Sequence, residues 1–208
     1  MSRIEMISEG PIYRNPNPGY GYVGGFFSNV VQLSEDEIFC TYNRGGGMYA
    51  TDLAHYAARS TDGGESWTEH HVVHDRGPDD AAYSYHDPMV AHLDDGSLVI
   101  TTFRVDRSDP KLPLFNEETG GIGAFELVAL HSTDHGRTWS RPERMEVPDD
   151  LIVTPSSGVI ELSDGRWFMP FDRWHAFDSS QPYRPQVVGL FSTDRGRTWV
   201  DPVVVADT

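Results

Sequence analysis

Apolar and polar residues alternate along this chain in short runs, and no window keeps apolar residues at the 3.6-residue spacing of a helix. Three stretches share one layout: "VVQLSEDEIFCTYNR" (30–44), "MVAHLDDGSLVITTFR" (89–104) and "GVIELSDGRWFMPFDR" (158–173). Each reads as a strand, a polar turn and a second strand. In each, a Leu is followed eleven residues later by an Arg: Leu33 and Arg44, Leu93 and Arg104, Leu162 and Arg173. A third run follows every pair ("LAHYAARS", "FELVALHS", "QVVGLFS"), and then a fourth ("TEHHVVH", "PERMEV", "PVVVA"). The pattern predicts an all-β protein built from three units of four short antiparallel strands.

Between the third and fourth runs the chain writes one octet three times: "STDGGESW" (60–67), "STDHGRTW" (132–139) and "STDRGRTW" (192–199). Repeat spacings above about 40 residues point to propeller blades rather than small helical repeats. Blade 1 is expected over roughly 26–75, blade 2 over 85–148 and blade 3 over 153–206, with 3–7 ("RIEMI") as a strand of a closing blade. The octet falls at a turn, where Ser and Asp side chains accept hydrogen bonds from backbone N–H groups. Gly supplies positive φ, and Trp is an apolar plug. Ser60, Asp62, Gly64 and Trp67, with Ser132, Asp134, Gly136, Trp139, Ser192, Asp194, Gly196 and Trp199, are therefore expected to be structural.

Composition narrows the picture. Asp and Glu number 32 against 16 Lys and Arg, a formal charge of −16, and Lys111 is the sole lysine. That field disfavours nucleic acid and anionic membranes as partners. No stretch reaches the ~20 apolar residues of a membrane helix, and "MSRIEMISEG" has no apolar signal-peptide core, so the sequence as written suits the cytoplasm. Cys40, the one cysteine, lies in an apolar run and reads as a small core residue. His70, His71 and His74 read as a solvated strand edge, and no metal site is expected.

The octet resembles the Asp-box, or BNR repeat, of the sialidase (neuraminidase) family of six-bladed propellers, and the likeness covers residues 12–208. Sialidases open with a (Phe/Tyr)-Arg-Ile-Pro motif; here Tyr13-Arg14-Asn15-Pro16 keeps the Arg and has Asn for Ile. Their Glu-x-Arg strand end is matched by "TYNR", which keeps Arg44 and lacks the Glu. The resemblance implies hydrolysis of a terminal acidic sugar without a cofactor, with Arg14 and Arg44 gripping its carboxylate. Asp52, the single acid between Arg44 and Asp62, inherits the place of the general acid/base. The family's tyrosine nucleophile, its glutamate and two further arginines belong to later blades.

In a propeller, the loops from second to third and from fourth to first strands share one face. Arg104, Arg173, Trp174, His86 and Asp87 are further substrate-binding candidates there. The same arginines could instead bridge to an acid of a neighbouring blade such as Asp87, and His86 and Asp87 could cap a strand. A non-catalytic propeller that binds glycan or protein is the alternative to an enzyme. Three blades cannot close a ring, so either the chain is the N-terminal half of a longer polypeptide, the favoured expectation, or two copies self-associate into a closed ring.

Overall fold

The computed structural model describes residues 5, 6, 9–19, 21–74 and 80–207. Among them there is no helix, hence none long and apolar enough to cross a membrane. The strand expected at 3–7 lies outside the described residues, apart from Glu5 and Met6, which are not in a strand.

Among the described residues thirteen strands form three antiparallel sheets in which chain order is spatial order. Sheet 1 comprises β1 (Gly24–Gln32), β2 (Ile38–Gly45), β3 (Ala54–Ser60) and β4 (Thr68–Val72). Sheet 2 comprises β5 (Tyr83–His92), β6 (Leu98–Asp106), β7 (Glu126–Ser132) and β8 (Glu143–Arg144). In sheet 3 the first position is shared by β9 (Ile152–Pro155) and β10 (Ile160–Glu161), both paired to β11 (Trp167–Trp174). Then come β12 (Gln186–Ser192) and β13 (Val200–Asp207).

The recurring Leu and Arg mark the two ends of one hairpin. The Leu N–H donates to the carbonyl four residues on: Leu33 to Glu37 at 2.8 Å, Leu93 to Ser97 at 2.9 Å and Leu162 to Arg166 at 2.8 Å. The Arg closes the far end of the second strand, paired with Gly25, Tyr85 or Val153 on the first. Every first strand is also interrupted at one place. β1 shifts register after Phe26, β5 shifts after His86, and the third sheet breaks between Pro155 and Ile160. At the shifts Phe27 and Asp87 take φ of 52° and 51°, a bulge that re-aims side chains and is strained for a non-glycine.

The β5 interruption sits where that strand lies against sheet 1. Buried Asn43 of β2 donates from Nδ2 to the Tyr85 carbonyl (2.6 Å) and accepts the Asp87 N–H (2.9 Å). Thr41 Oγ1 donates to the Pro88 carbonyl, and Asn29 Oδ1 accepts the Val90 N–H. Around these bonds Phe39, Ala57, Val90, Leu98, Ile100 and Leu130 fill the space between sheets 1 and 2. A larger cluster including Phe103, Met169, Phe171, Leu190 and Trp199 joins sheets 2 and 3. Each such buried Val, Leu, Ile, Phe or Met side chain contributes roughly 1.5–3 kcal/mol. Cys40 is buried with Tyr42 and Ala58, covered by Ile12 and Tyr13; burial pushes its thiol up to about 12.

The three octets are superimposable hydrogen-bond cages. Ser132 Oγ donates to Asp134 Oδ1 (2.8 Å) and accepts the Gly136 N–H (2.9 Å), and Asp134 accepts both Thr138 N–H and Oγ1–H. Ser60, Asp62, Gly64 and Ser66 repeat this, as do Ser192, Asp194, Gly196 and Thr198. Hydrogen bonds from Ser66 hold the Asp62 carboxyl down at about 2. At Asp134 burial raises the value, but the Thr138 bonds outweigh it and the result is again about 2. The second box also reaches the sheet before it. Gly136 abuts Phe39, Trp139 tilts against Phe39 at 6.1 Å, and Arg59 donates to the His135 carbonyl.

Candidate functional site

The strand ends opposite the boxes carry the loops 46–53, 107–125 and 175–185. Arg44, Arg104 and Arg173 occupy equivalent register positions there, facing Ala54, Glu126 and Gln186 across the third strands. Their surroundings differ. The Arg44 guanidinium lies between the rings of Tyr13 (5.1 Å) and Tyr56 (4.9 Å), and Tyr13 stacks on Tyr42. Arg104 is held by Asp80 (2.9 Å) and Glu126 (2.8 Å) and lies over the Tyr83 ring. A bridge to an acid near the preceding sheet thus exists at Arg104, with Asp80 rather than Asp87. Arg173 is exposed and donates to Gln186 Oε1 (3.0 Å).

Arg14 is exposed beside Tyr13, whose buried hydroxyl has no hydrogen-bond partner. Asp52 is exposed in the β2–β3 loop, where both its carboxylate oxygens accept the Gly46 N–H (3.0 and 3.1 Å). The histidines of β4 and beyond go to separate partners: His70 to the Tyr42 hydroxyl, His71 to the Glu69 and Gly136 carbonyls, His74 to Asp80. Among the described residues no group of three or more His, Cys, Asp or Glu is placed to hold a metal ion.

The chemistry gathers instead at the β5 bulge. Asp87 has a buried Oδ1 with no hydrogen-bond partner. Burial, and secondarily the charge of Asp172, push its carboxyl up to about 6, so it exchanges a proton near neutrality. His86 is fully buried, stacked on Phe103 at 5.0 Å and bonded through Nε2 to Ser84 Oγ (2.8 Å). Burial, then the Arg107 charge, depress it to about 3, so it is neutral. An aromatic wall borders these groups. Tyr49 contacts Phe27, His86 and Phe115; Phe115 leads to Trp174, and Trp174 stacks on Tyr183 at 5.7 Å. Beyond it, Arg173, Trp174, His175 and Tyr183 line a cavity of about 400 Å³. A cavity of about 750 Å³ opens between the sheet 2 and sheet 3 loops, with Phe125, Leu127, Met145 and Val153 on its walls.

The structure sets His86 and Asp87 beside Tyr49, links Trp174 to them only through the Tyr49–Phe115–Trp174 ring contacts, and leaves Asp52 bonded within its own loop. Tyr49, Phe115, Tyr183 and Arg107 escape sequence reading because they lie in loops that differ between repeats. Asp172 stands one residue before a repeated Arg, at the position of Asn43 and Phe103 in the other sheets. That register could have singled it out.

Three consecutive antiparallel sheets, each closed by an Asp-box, define a β-repeat protein of the sialidase structural class. The chain belongs to the BNR repeat-like domain family, which matches residues 36–207. It is 32% identical over 149 residues to a sialidase of Micromonospora viridifaciens, a match covering 71% of this chain and 20% of that protein. A protein of unknown function from Dyadobacter fermentans has the same fold with TM-score 0.66, 22% identity, and coverage of 94% of this chain and 56% of that one. The Hadza microbial sialidase Hz136 superimposes with TM-score 0.64 and 18% identity, over 86% of this chain and 37% of its own. The chain thus spans a fifth of the curated relative and about half or less of these fold neighbours.

Proposed function

We propose that the three sheets are consecutive blades of a sialidase-like β-propeller, the N-terminal half of a six-bladed ring, and that the complete ring is an exo-glycosidase releasing a terminal sialic acid or related acidic sugar. Support for the ring comes from the in-register repetition of bulge, hairpin and box, and from fold neighbours about twice as long. Support for a carbohydrate comes chiefly from Asp87. A carboxylate oxygen without a partner, beside a second carboxylate and near Tyr49, from which ring contacts run on to Phe115 and Trp174, suits a ligand with hydroxyls on one side and C–H faces on the other. In this reading Arg14 and Arg44 bind the sugar carboxylate. A guanidinium stacked between rings keeps its in-plane donors for such an anion. Asp52 is the general acid/base, and His86, Asp87, Arg104, Arg173 and Trp174 line the site.

The test is turnover of a fluorogenic sialoside by the longest natural polypeptide that carries these residues. General acid–base catalysis contributes about 10²–10⁴-fold, so Asp52→Asn should cost at least ~100-fold. Unchanged turnover would remove Asp52 from the mechanism, and turnover of a different glycoside alone would keep the reaction class and change the sugar. The second reading is a non-catalytic propeller that binds glycan or protein, in which the contact of the Gly46 N–H with both Asp52 oxygens serves only to shape the loop. Sialic acid binding without turnover would establish it.

A further inference from the structure

The hydrogen bonds behind Asp87 determine where the proton of His86 sits. Ser84 is fully buried and its hydroxyl has two neighbours, Arg107 Nε at 2.9 Å and His86 Nε2 at 2.8 Å. Arg107 can only donate. The serine oxygen accepts that bond, and its own proton finds an acceptor only if His86 Nε2 carries a lone pair. With the imidazole proton on Nε2, two buried groups would be unsatisfied: the Ser84 O–H and the bare Nδ1. With the proton on Nδ1 just one is left, the Nδ1–H itself, and Nδ1 is buried without a hydrogen-bond partner. Since every unmet buried polar group is costly, the second arrangement is preferred. A doubly protonated ring is worse still, for it would orphan the serine proton and face the Arg107 charge.

We propose that Arg107 and Ser84 are positioning residues that hold His86 as a neutral ring with its proton on Nδ1, a fixed donor for a hydroxyl oxygen of a ligand bound beside Asp87. The ligand half of this statement rests on the carbohydrate reading above; the proton placement does not. Stacking on Phe103 with 13° between planes fixes the direction of the N–H. Tyr49 lies 6.1 Å from His86 on the loop 46–53, and its carbonyl accepts from Arg107 Nη2 (3.3 Å), so one arginine ties the relay to a neighbouring aromatic residue. Nδ1 is buried in the free protein, so the groups over it must move aside when the ligand hydroxyl binds.

Long-range ¹⁵N–¹H NMR of the histidine rings at neutral pH tests both halves. For His86 the expected pattern is a protonated Nδ1 and a bare Nε2. Ser84→Ala and Arg107→Gln should each convert it to a mixture of tautomers, and Ser84→Thr, which restores a hydroxyl, should recover it. A protonated Nε2 in the wild type, or a pattern untouched in Arg107→Gln and Ser84→Ala, would overturn the relay. N-acetylneuraminic acid is then added to the longest natural polypeptide that carries these residues, since the proposed site is complete only in the full ring. A moved Nδ1–H resonance supports the ligand contact. A static one, while the Asp87 amide responds, defeats that half. If no amide responds, the sialic acid reading fails, while the tautomer pattern still decides the relay.

Discussion

At the scale of single residues, the same side-chain type serves opposite ends according to its hydrogen bonds. Asp62 and Asp134 are held near 2 by donors in their own turns, whereas Asp87 is pushed to about 6 by burial and by Asp172. The signs of their pH dependence differ. The box carboxylates add stability that is complete above the unfolded value near 4 and lost as pH falls toward 2. Asp87, with a raised value, adds stability only below about 4 and loses it as pH rises through about 6. Asp87→Asn should therefore stabilise the fold at pH 8 by on the order of 2 kcal/mol and do little at pH 4, since Asn also tolerates positive φ. Urea unfolding at the two pH values measures this, and equal effects at both would refute it. Ser132→Ala leaves the buried Gly136 N–H without its acceptor and should cost about 1–3 kcal/mol in the same assay.

At the scale of elements, the boxes do more than close a turn. Gly136 and Gly64 share a positive φ, 80° and 94°, but their surroundings differ. A Cβ at Gly136 would stand 2.7 Å from the Phe39 ring of sheet 1, whereas one at Gly64 would meet nothing closer than 3.9 Å. Both alanine substitutions bear the cost of the left-handed backbone, roughly 1 kcal/mol. Gly136→Ala should lose distinctly more, because it also pries the second box from the first sheet. Thermal melts of the two variants side by side would show it, and equal losses would mean that the box acts within its own sheet alone. The hairpin connecting the first two strands was readable from the Leu-to-Arg spacing, since one register repeats three times. The bulges were not. Phe27 and Asp87 sit in the same strained place without sharing chemistry, so no residue pattern announces it.

For the whole molecule, the question is what covers the outer faces. Val200, Val203, Val204 and Val205 along the edge strand β13 are 43–61% exposed, an apolar edge that invites association. The 208-residue chain by itself should therefore gain mass with concentration in light scattering, and Val204→Lys should reduce that gain. A strictly monomeric wild type across a concentration series would count against an open half-ring.

The sequence by itself determined the strand count per unit, the hairpin registers and the box cages, because these depend on residues a few positions apart whose pattern is repeated. It also pointed to His86, Asp87 and Trp174 as neighbours of one end of the sheets. The tertiary structure decided what each candidate does with its polar atoms: Arg104 bound by Asp80 and Glu126, Arg44 beside two tyrosine rings, Asp52 exposed and touched by the Gly46 N–H, Asp87 left with an unpartnered oxygen. Burial and partnership are set by loops and sheets distant in the chain, and a side chain's proton affinity and availability follow from those surroundings rather than from its letter.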